Sequence, residues 1–231
     1  MNKQLALAIQ LNNDYTFDNF YWENNLLIKE QLLASLHGKG ERIIYLWGPS
    51  GSGKTHLLQA CCLYADRFQS AIYLPMTILA QLTPEMLEGM ANHSMICIDD
   101  IDAIARKAPW EEAIFHLYNH IHDNQPNTLL VITGKQAPHN GSIQLADLRS
   151  RLSWGLTMQM NELNDHDKIH SLELHAKNRG FELSPEVAKF LLNRCARNMH
   201  ELQALLNNLD EASLRAQRKI TIPFVKNILG I

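Results

Sequence analysis

The octapeptide Gly48-Pro49-Ser50-Gly51-Ser52-Gly53-Lys54-Thr55 leaves this chain few folds to choose from. It follows the apolar run Ile43-Ile44-Tyr45-Leu46-Trp47 and leads into His56-Leu57-Leu58-Gln59-Ala60. A buried strand, a glycine-rich turn and the start of a helix therefore stand in series. The spacing G-x-x-x-x-G-K-[ST] is that of a phosphate-binding P-loop. Gly48, Gly51 and Gly53 free the backbone to fold back, so that successive N–H groups point inward. The helix beginning near Lys54 adds its positive end. Lys54 is expected to reach the β- and γ-phosphates, and the Thr55 hydroxyl to help hold Mg²⁺. The cofactors expected are ADP or ATP with Mg²⁺.

Four apolar runs of strand length, 43–47, 71–74, 95–98 and 129–133, are spaced for helical crossovers, and a fifth covers 156–160. Near-continuous Ile/Val/Leu runs separated by helical patterns predict an α/β fold with a parallel sheet covered on both faces. An amphipathic helix is expected over 25–36, another over 109–122, and a helix start at Thr83-Pro84-Glu85. Beyond the sheet, helical periodicity runs through 165–179, 184–197, 199–217 and 222–229, with start signals at Ser184-Pro185-Glu186 and Thr221-Ile222-Pro223. The layout predicted is a tail over 1–12, a nucleotide-binding α/β domain over 13–161 and a small all-α domain over 162–231.

A net charge of −3 argues against a domain that grips DNA by its backbone alone, which usually carries a clear positive excess. No apolar run approaches the roughly 18–20 residues of a membrane span. The briefly apolar start is broken by Gln10, Asn12, Asn13 and Asp14, too soon for a signal peptide. Cys61, Cys62, Cys97 and Cys195 lie inside apolar patterns and read as buried free thiols, which suits the cytoplasm. Among the histidines, His116, His120 and His122 share a helix, and His166 and His170 are spaced i,i+4. Neither set is HExxH and the nearby acids lack the usual ligand arrangement, so solvent-facing helix histidines are expected.

The run Met95-Ile96-Cys97-Ile98 ends in Asp99-Asp100. A P-loop fold needs an acid at a neighbouring strand end to hold Mg²⁺, the role expected of Asp99. Asp100 beside it suits a general base on the attacking water. Thr133 would sit near a γ-phosphate if its strand lies between the two motif strands. Arg149 and Arg151 form a basic pair before the last strand. They read either as surface ion pairs or as an arginine finger projected toward another protomer's nucleotide. The aromatic stretch Tyr15-Thr16-Phe17-Asp18-Asn19-Phe20-Tyr21-Trp22 reads equally as packing onto a core or as a flap over a nucleotide base.

With these motifs in place, the chain from Tyr15 to Leu229 resembles the AAA+ part of the DnaA family of bacterial replication initiators. Ile98-Asp99-Asp100-Ile101, Ser150-Arg151-Leu152-Ser153-Trp154-Gly155-Leu156 and Ile220-Thr221-Ile222-Pro223-Phe224-Val225 carry the likeness beside the P-loop and the aromatic stretch. The resemblance implies a five-stranded parallel AAA+ sheet followed by a helical lid. It further implies that His200 stands where the lid would offer an arginine to the nucleotide phosphates. The C-terminal helix-turn-helix domain of DnaA is expected to be absent, as the sequence stops at Ile231. Such a unit is similar to the regulatory branch of the family, a likeness strengthened by the strings from Trp110 to Asn119, Arg179-Gly180-Phe181-Glu182-Leu183 and Ala216-Gln217-Arg218-Lys219.

Gln4-Leu5-Ala6-Leu7 resembles the peptide by which replication proteins dock on the sliding clamp, the β subunit of DNA polymerase III. Leu5 and Leu7 would enter an apolar groove while Gln4 bonds at its rim. The implied partners are thus DnaA and the DNA-loaded clamp, with DNA reached only through the clamp. The implied activity is negative regulation of initiation, Arg151 completing the active site of ATP-bound DnaA. Three departures from the family pattern stand out: Lys135 where an acid is usual, His200 in place of arginine, and Ala8 after the clamp-like peptide. The first two bear on the chain's own ATPase, which is expected to be slow. Competing readings are a working ATPase of the helicase-loader type, and an adaptor that uses nucleotide only as a structural ligand.

Overall fold

The computed structural model describes residues 10–66, 69–195 and 197–230. Gln4, Leu5 and Leu7 of the clamp-like peptide lie outside the described residues. The contacts divide into two units. One comprises residues 10–17, 25–49 and 53–160, the other 18–24, 50–52 and 161–230.

The first unit is a five-stranded parallel sheet with strand order β2-β3-β4-β1-β5, where β1 is Ile43–Trp47, β2 Ala71–Pro75, β3 Met95–Asp99, β4 Leu129–Gly134 and β5 Leu156–Gln159. Every residue of β3 and β4 is buried, which is why those strands read as unbroken apolar runs rather than alternating ones. β5, at the edge, alternates half-buried and exposed residues. It lies against β1 only because residue 155 is glycine, where a Cβ would stand 2.4 Å from the Ile43 carbonyl oxygen.

Helices α1 (Leu26–Leu36), α2 (Lys54–Ala65), α3 (Met76–Leu79), α4 (Ala108–Asn124) and α5 (Ala146–Leu152) complete this unit. α2 is buried on nearly every side, including Cys61 and Cys62, and Cys97 is buried in β3. Cys195, in the second unit, is only half-buried, so burial describes three of the four free thiols.

One local expectation is corrected. Thr83-Pro84-Glu85 opens not an α-helix but a 3-10 turn over Pro84–Leu87, and the Thr83 side chain caps no backbone N–H. Gly89, at φ 79°, then turns the chain away. Arg149 and Arg151, the basic pair before the last strand, lie in the last turn of α5.

The second unit is a bundle of α6 (Asp165–Asn178), α7 (Pro185–Arg194), α8 (Met199–Ala216) and α9 (Ile222–Leu229). Each helix is started by a side-chain oxygen: Asn164, Ser184, Asn198 and Thr221 accept from the N–H of Asp167, Val187, His200 and Phe224. Such a cap stabilises a helix by about 1 kcal/mol. Leu172, Leu191, Leu202, Leu206 and Leu209, all fully buried, fill the centre.

The aromatic stretch is held by packing. Tyr15 stacks on His56 with centroids 4.7 Å apart, and Phe17 meets Tyr64 edge-on. In the second unit Phe20 lies against Trp22, the Tyr21 hydroxyl donates to Glu23 and lies 3.2 Å from Asp167 Oδ1, and Asn24 Nδ2 donates to the buried carboxylate of Asp167.

His56 gives this packing a pH dependence. Its ring is buried, Nε2 lies 2.9 Å from the Thr16 carbonyl oxygen, and burial pushes its pKa down to about 4. The folded state thus favours the neutral ring. Its contribution to stability is complete above the unfolded value near 6.5 and is lost as pH falls from there toward 4. The unfolding free energy is expected to drop by about 2 kcal/mol more, between pH 7.5 and 4.5, in the natural chain than in His56→Gln. Urea unfolding at both pH values measures it, and parallel pH profiles for the two proteins would refute it.

Candidate functional site

In an open parallel sheet, ligands bind outside the carboxyl ends of the strands. Here those ends gather the residues singled out by the sequence. The P-loop follows β1, Asp99 closes β3, and Thr133 stands near the end of β4, the strand between them. The condition placed on Thr133 is therefore met. Because Ile98 pairs with Ile132, the next residues, Asp99 and Thr133, emerge side by side.

Asp99 is the centre of this group. Its carboxylate is 3% exposed and accepts three hydroxyls: Thr133 at 2.6 Å on Oδ1, with Thr55 at 2.8 Å and Tyr73 at 2.7 Å on Oδ2. An ionised carboxylate can only accept, so three donors are what burial of its charge requires. Tyr73 Oη is pushed to higher pKa by burial and by the Asp99 charge, which keeps it a donor. Tyr73 was not singled out in the sequence. Its position on β2, paired with Cys97 two residues before Asp99, is the signal that could have found it.

Asp100 has left-handed backbone, φ 53° and ψ 57°, and its N–H donates to Thr133 Oγ1 at 2.9 Å. The sharp turn ends the strand and separates the two carboxylates in role. Burial, then repulsion from Asp99, raises the Asp100 pKa above the usual carboxylate range, a direction that suits proton transfer.

Lys54 Nζ donates to the carbonyl oxygens of Gly48 and Pro49, each at 2.8 Å. Burial lowers its pKa, and the charges of Asp100 and Asp99 act in the opposite sense. Gly51 and Gly53 hold φ of 83° and 90°, the left-handed values that turn the loop's N–H groups to one side. Ser52 Oγ is buried and finds no hydrogen-bond partner among the described residues. An orphaned hydroxyl in a cationic backbone cradle fits a polyphosphate. Thr55 Oγ and Asp99 beside it are oxygen donors of the kind Mg²⁺ takes. Lys135 is exposed, its N–H bonded to Asp102 Oδ2. His200 lies in the second unit, exposed in the first turn of α8, its N–H bonded to Asn198.

Away from this group, α5 presents its two arginines. Arg149 Nη1 donates to the Ile143 carbonyl oxygen at 3.3 Å. The Arg151 guanidinium stacks on the Trp154 ring, 4.0 Å from its centroid, and that indole is 58% exposed. His122 meets the other edge of the cluster, 5.9 Å from Trp154 between centroids. What places α5 is Glu111, a residue not singled out in the sequence. Its carboxylate is 2% exposed and accepts the N–H groups of Arg106, Gln144 and Leu145. It thereby anchors the entry to the helix from 34 positions away.

The bacterial DnaA ATPase domain matches residues 11–159, about two thirds of the chain. This chain belongs to the DnaA family. The lid domain described for Hda matches residues 165–229, so within the DnaA family the second unit is of the Hda type. An uncharacterised protein of Haemophilus influenzae is 44% identical, with full coverage of both chains. Domain III of Thermotoga maritima DnaA superposes with TM-score 0.77 at 23% identity, over 96% of this chain and 98% of that one. AMPPCP-bound DnaA of Aquifex aeolicus gives 0.71 at 25%, over 87% of this chain and 66% of that one. The expected AAA+ fold, a five-stranded parallel sheet with a helical lid domain, is thus the DnaA-type fold.

Proposed function

We propose that this protein is a nucleotide-bound negative regulator of replication initiation that docks on the DNA-loaded sliding clamp and promotes hydrolysis of ATP bound to DnaA. The observation that carries the reading is Arg151, a guanidinium at the surface of a DnaA-type unit, held by Trp154 on a helix anchored through Glu111. Such a cation, brought against the phosphoryl group in a neighbouring active site, offsets charge that develops only in the transition state. The Hda-type lid supports the regulatory branch over a DNA-reading initiator.

Bound ADP or ATP with Mg²⁺ would supply the charge that orders the P-loop side of this chain. Lys54 and the loop N–H groups would bind the phosphates, Thr55 and Asp99 would hold the metal, and Asp100 would accept a proton from water in the chain's own slow hydrolysis. His200 would offer the nucleotide a shorter side chain without the planar fork of the usual arginine, which weakens any discrimination of the γ-phosphate. Gln4, Leu5 and Leu7 would dock as an extended strand on the clamp. A working ATPase of the helicase-loader type would use the same P-loop and carboxylates on its own nucleotide.

A single-turnover assay separates the two. DnaA carrying labelled ATP is mixed with this protein, with and without clamp loaded on DNA. Conversion to ADP that needs the clamp, and is lost in both Gln4→Ala and Arg151→Ala, is the expected result. No stimulation by a folded, nucleotide-bound protein would sink the reading, and the helicase-loader alternative would then be tested by helicase loading.

A further inference from the structure

On the exposed face of α6, His166 and His170 do more than share an i,i+4 spacing. Their Nε2 atoms face each other at 3.2 Å, with ring centroids 4.4 Å apart and planes at 77°. Two nitrogens bound to a tetrahedral ion at about 2.0–2.1 Å stand about 3.3 Å apart. The separation of the two nitrogens therefore matches the bite of a metal, and a turn of the exposed rings would bring both lone pairs to one point.

The surrounding carboxylates support this. Glu173 Oε2 lies 3.0 Å from His170 Nδ1. An ionised carboxylate only accepts, so the proton of His170 sits on Nδ1 and the Nε2 lone pair points at His166. Asp167 Oδ1 lies 3.8 Å from His166 Nδ1, beyond a hydrogen bond, and adds negative charge beside the second ring. A metal-ligating histidine commonly has its other nitrogen held by a carboxylate, which fixes the tautomer and strengthens the ligand. Glu173 Oε1 is buried with no hydrogen-bond partner among the described residues, leaving negative charge that a cation on His170 would offset.

We infer that His166 and His170 form a binding site for a divalent transition metal of the imidazole-preferring kind (zinc, nickel or copper). Among the described residues no group of three metal-ligating side chains gathers, so water fills the remaining positions. The side chains are 76% and 45% exposed, which leaves that side open to solvent. Tyr21 lies nearly parallel to the His170 ring at 6.4 Å with its hydroxyl 3.2 Å from Asp167 Oδ1, so an occupied site would also brace the segment 18–24. Nothing here depends on the partner proposed for Arg151.

The test is calorimetric titration of the full chain with Ni²⁺, the three buried thiols and Cys195 being the same in every variant. One equivalent should bind. The affinity should fall at least about 10-fold in His166→Ala and in His170→Ala, and about 10-fold in Glu173→Gln, where only the outer partner changes. Alanine at an exposed helical position keeps the fold, and circular dichroism of each variant checks it. Ni²⁺ should also raise the melting temperature of the natural chain and not that of the double variant. Equal binding by the double variant, or no binding by the natural chain up to millimolar Ni²⁺, would overturn the assignment.

Discussion

Replacement of Arg151 by alanine should cut the clamp-dependent hydrolysis of DnaA-bound ATP by about 10³-fold or more, the scale of a missing arginine finger. The protein itself should be otherwise intact. Among the described residues Arg151 forms no ion pair, and its contact is the stack on Trp154, worth about 1 kcal/mol or less at an exposed site. Melting temperature and ADP affinity should therefore hardly change. Arg151→Lys keeps the charge but not the planar fork and should recover only a small part of the rate. Arg149 gives the contrast within the same turn. Its Nη1 is spent on the Ile143 carbonyl, so Arg149→Ala should cost stability at the loop before α5 more than rate. If both variants lose activity equally, or Arg151→Ala loses nucleotide as well, the finger role fails.

Local chemistry explains which parts of this chain could be read in advance. The P-loop, the Asp99 strand end and the lid helix starts are each specified within a few residues, by glycines, by an unbroken apolar run, or by a cap such as Ser184 or Thr221. α5 is different. It is seven residues long and its start has no capping side chain. Glu111 supplies the missing acceptors from another helix, and no local pattern reports that. Thr83-Pro84-Glu85 shows the converse failure. Three residues that suit a helix start are overruled when the chain runs only to Leu87 before Gly89 turns it. His166 and His170 lie between these cases. The spacing is visible in sequence, but the facing of their Nε2 atoms depends on Glu173 and on the ring orientations.

Asp99 is where stability and ligand binding meet, and its two simplest substitutions should separate them. Asp99→Ala removes the acceptor of three hydroxyls and leaves Thr55, Tyr73 and Thr133 facing a void. An unsatisfied buried donor costs about 1–3 kcal/mol, and three hydroxyls lose their acceptor, so a loss of about 3 kcal/mol or more is expected. In urea this should appear as a lower midpoint with an unchanged slope. Asp99→Asn keeps the volume and one acceptor. With its oxygen toward Thr55 and Tyr73 the asparagine still accepts from both, but its amide then faces Thr133, which already accepts from the Asp100 N–H and loses the target of its own proton. A loss of about 1–2 kcal/mol follows, small enough for the fold to survive. The asparagine variant then tests the site. Its ADP affinity in EDTA should match that of the natural chain, because Lys54 and the loop N–H groups are untouched. The gain that Mg²⁺ confers on the natural chain should shrink about 10-fold or more, because a neutral amide replaces the carboxylate beside Thr55. A Mg²⁺ gain of equal size in both proteins would show that Asp99 serves the hydroxyl network alone, and the metal would have to be held elsewhere.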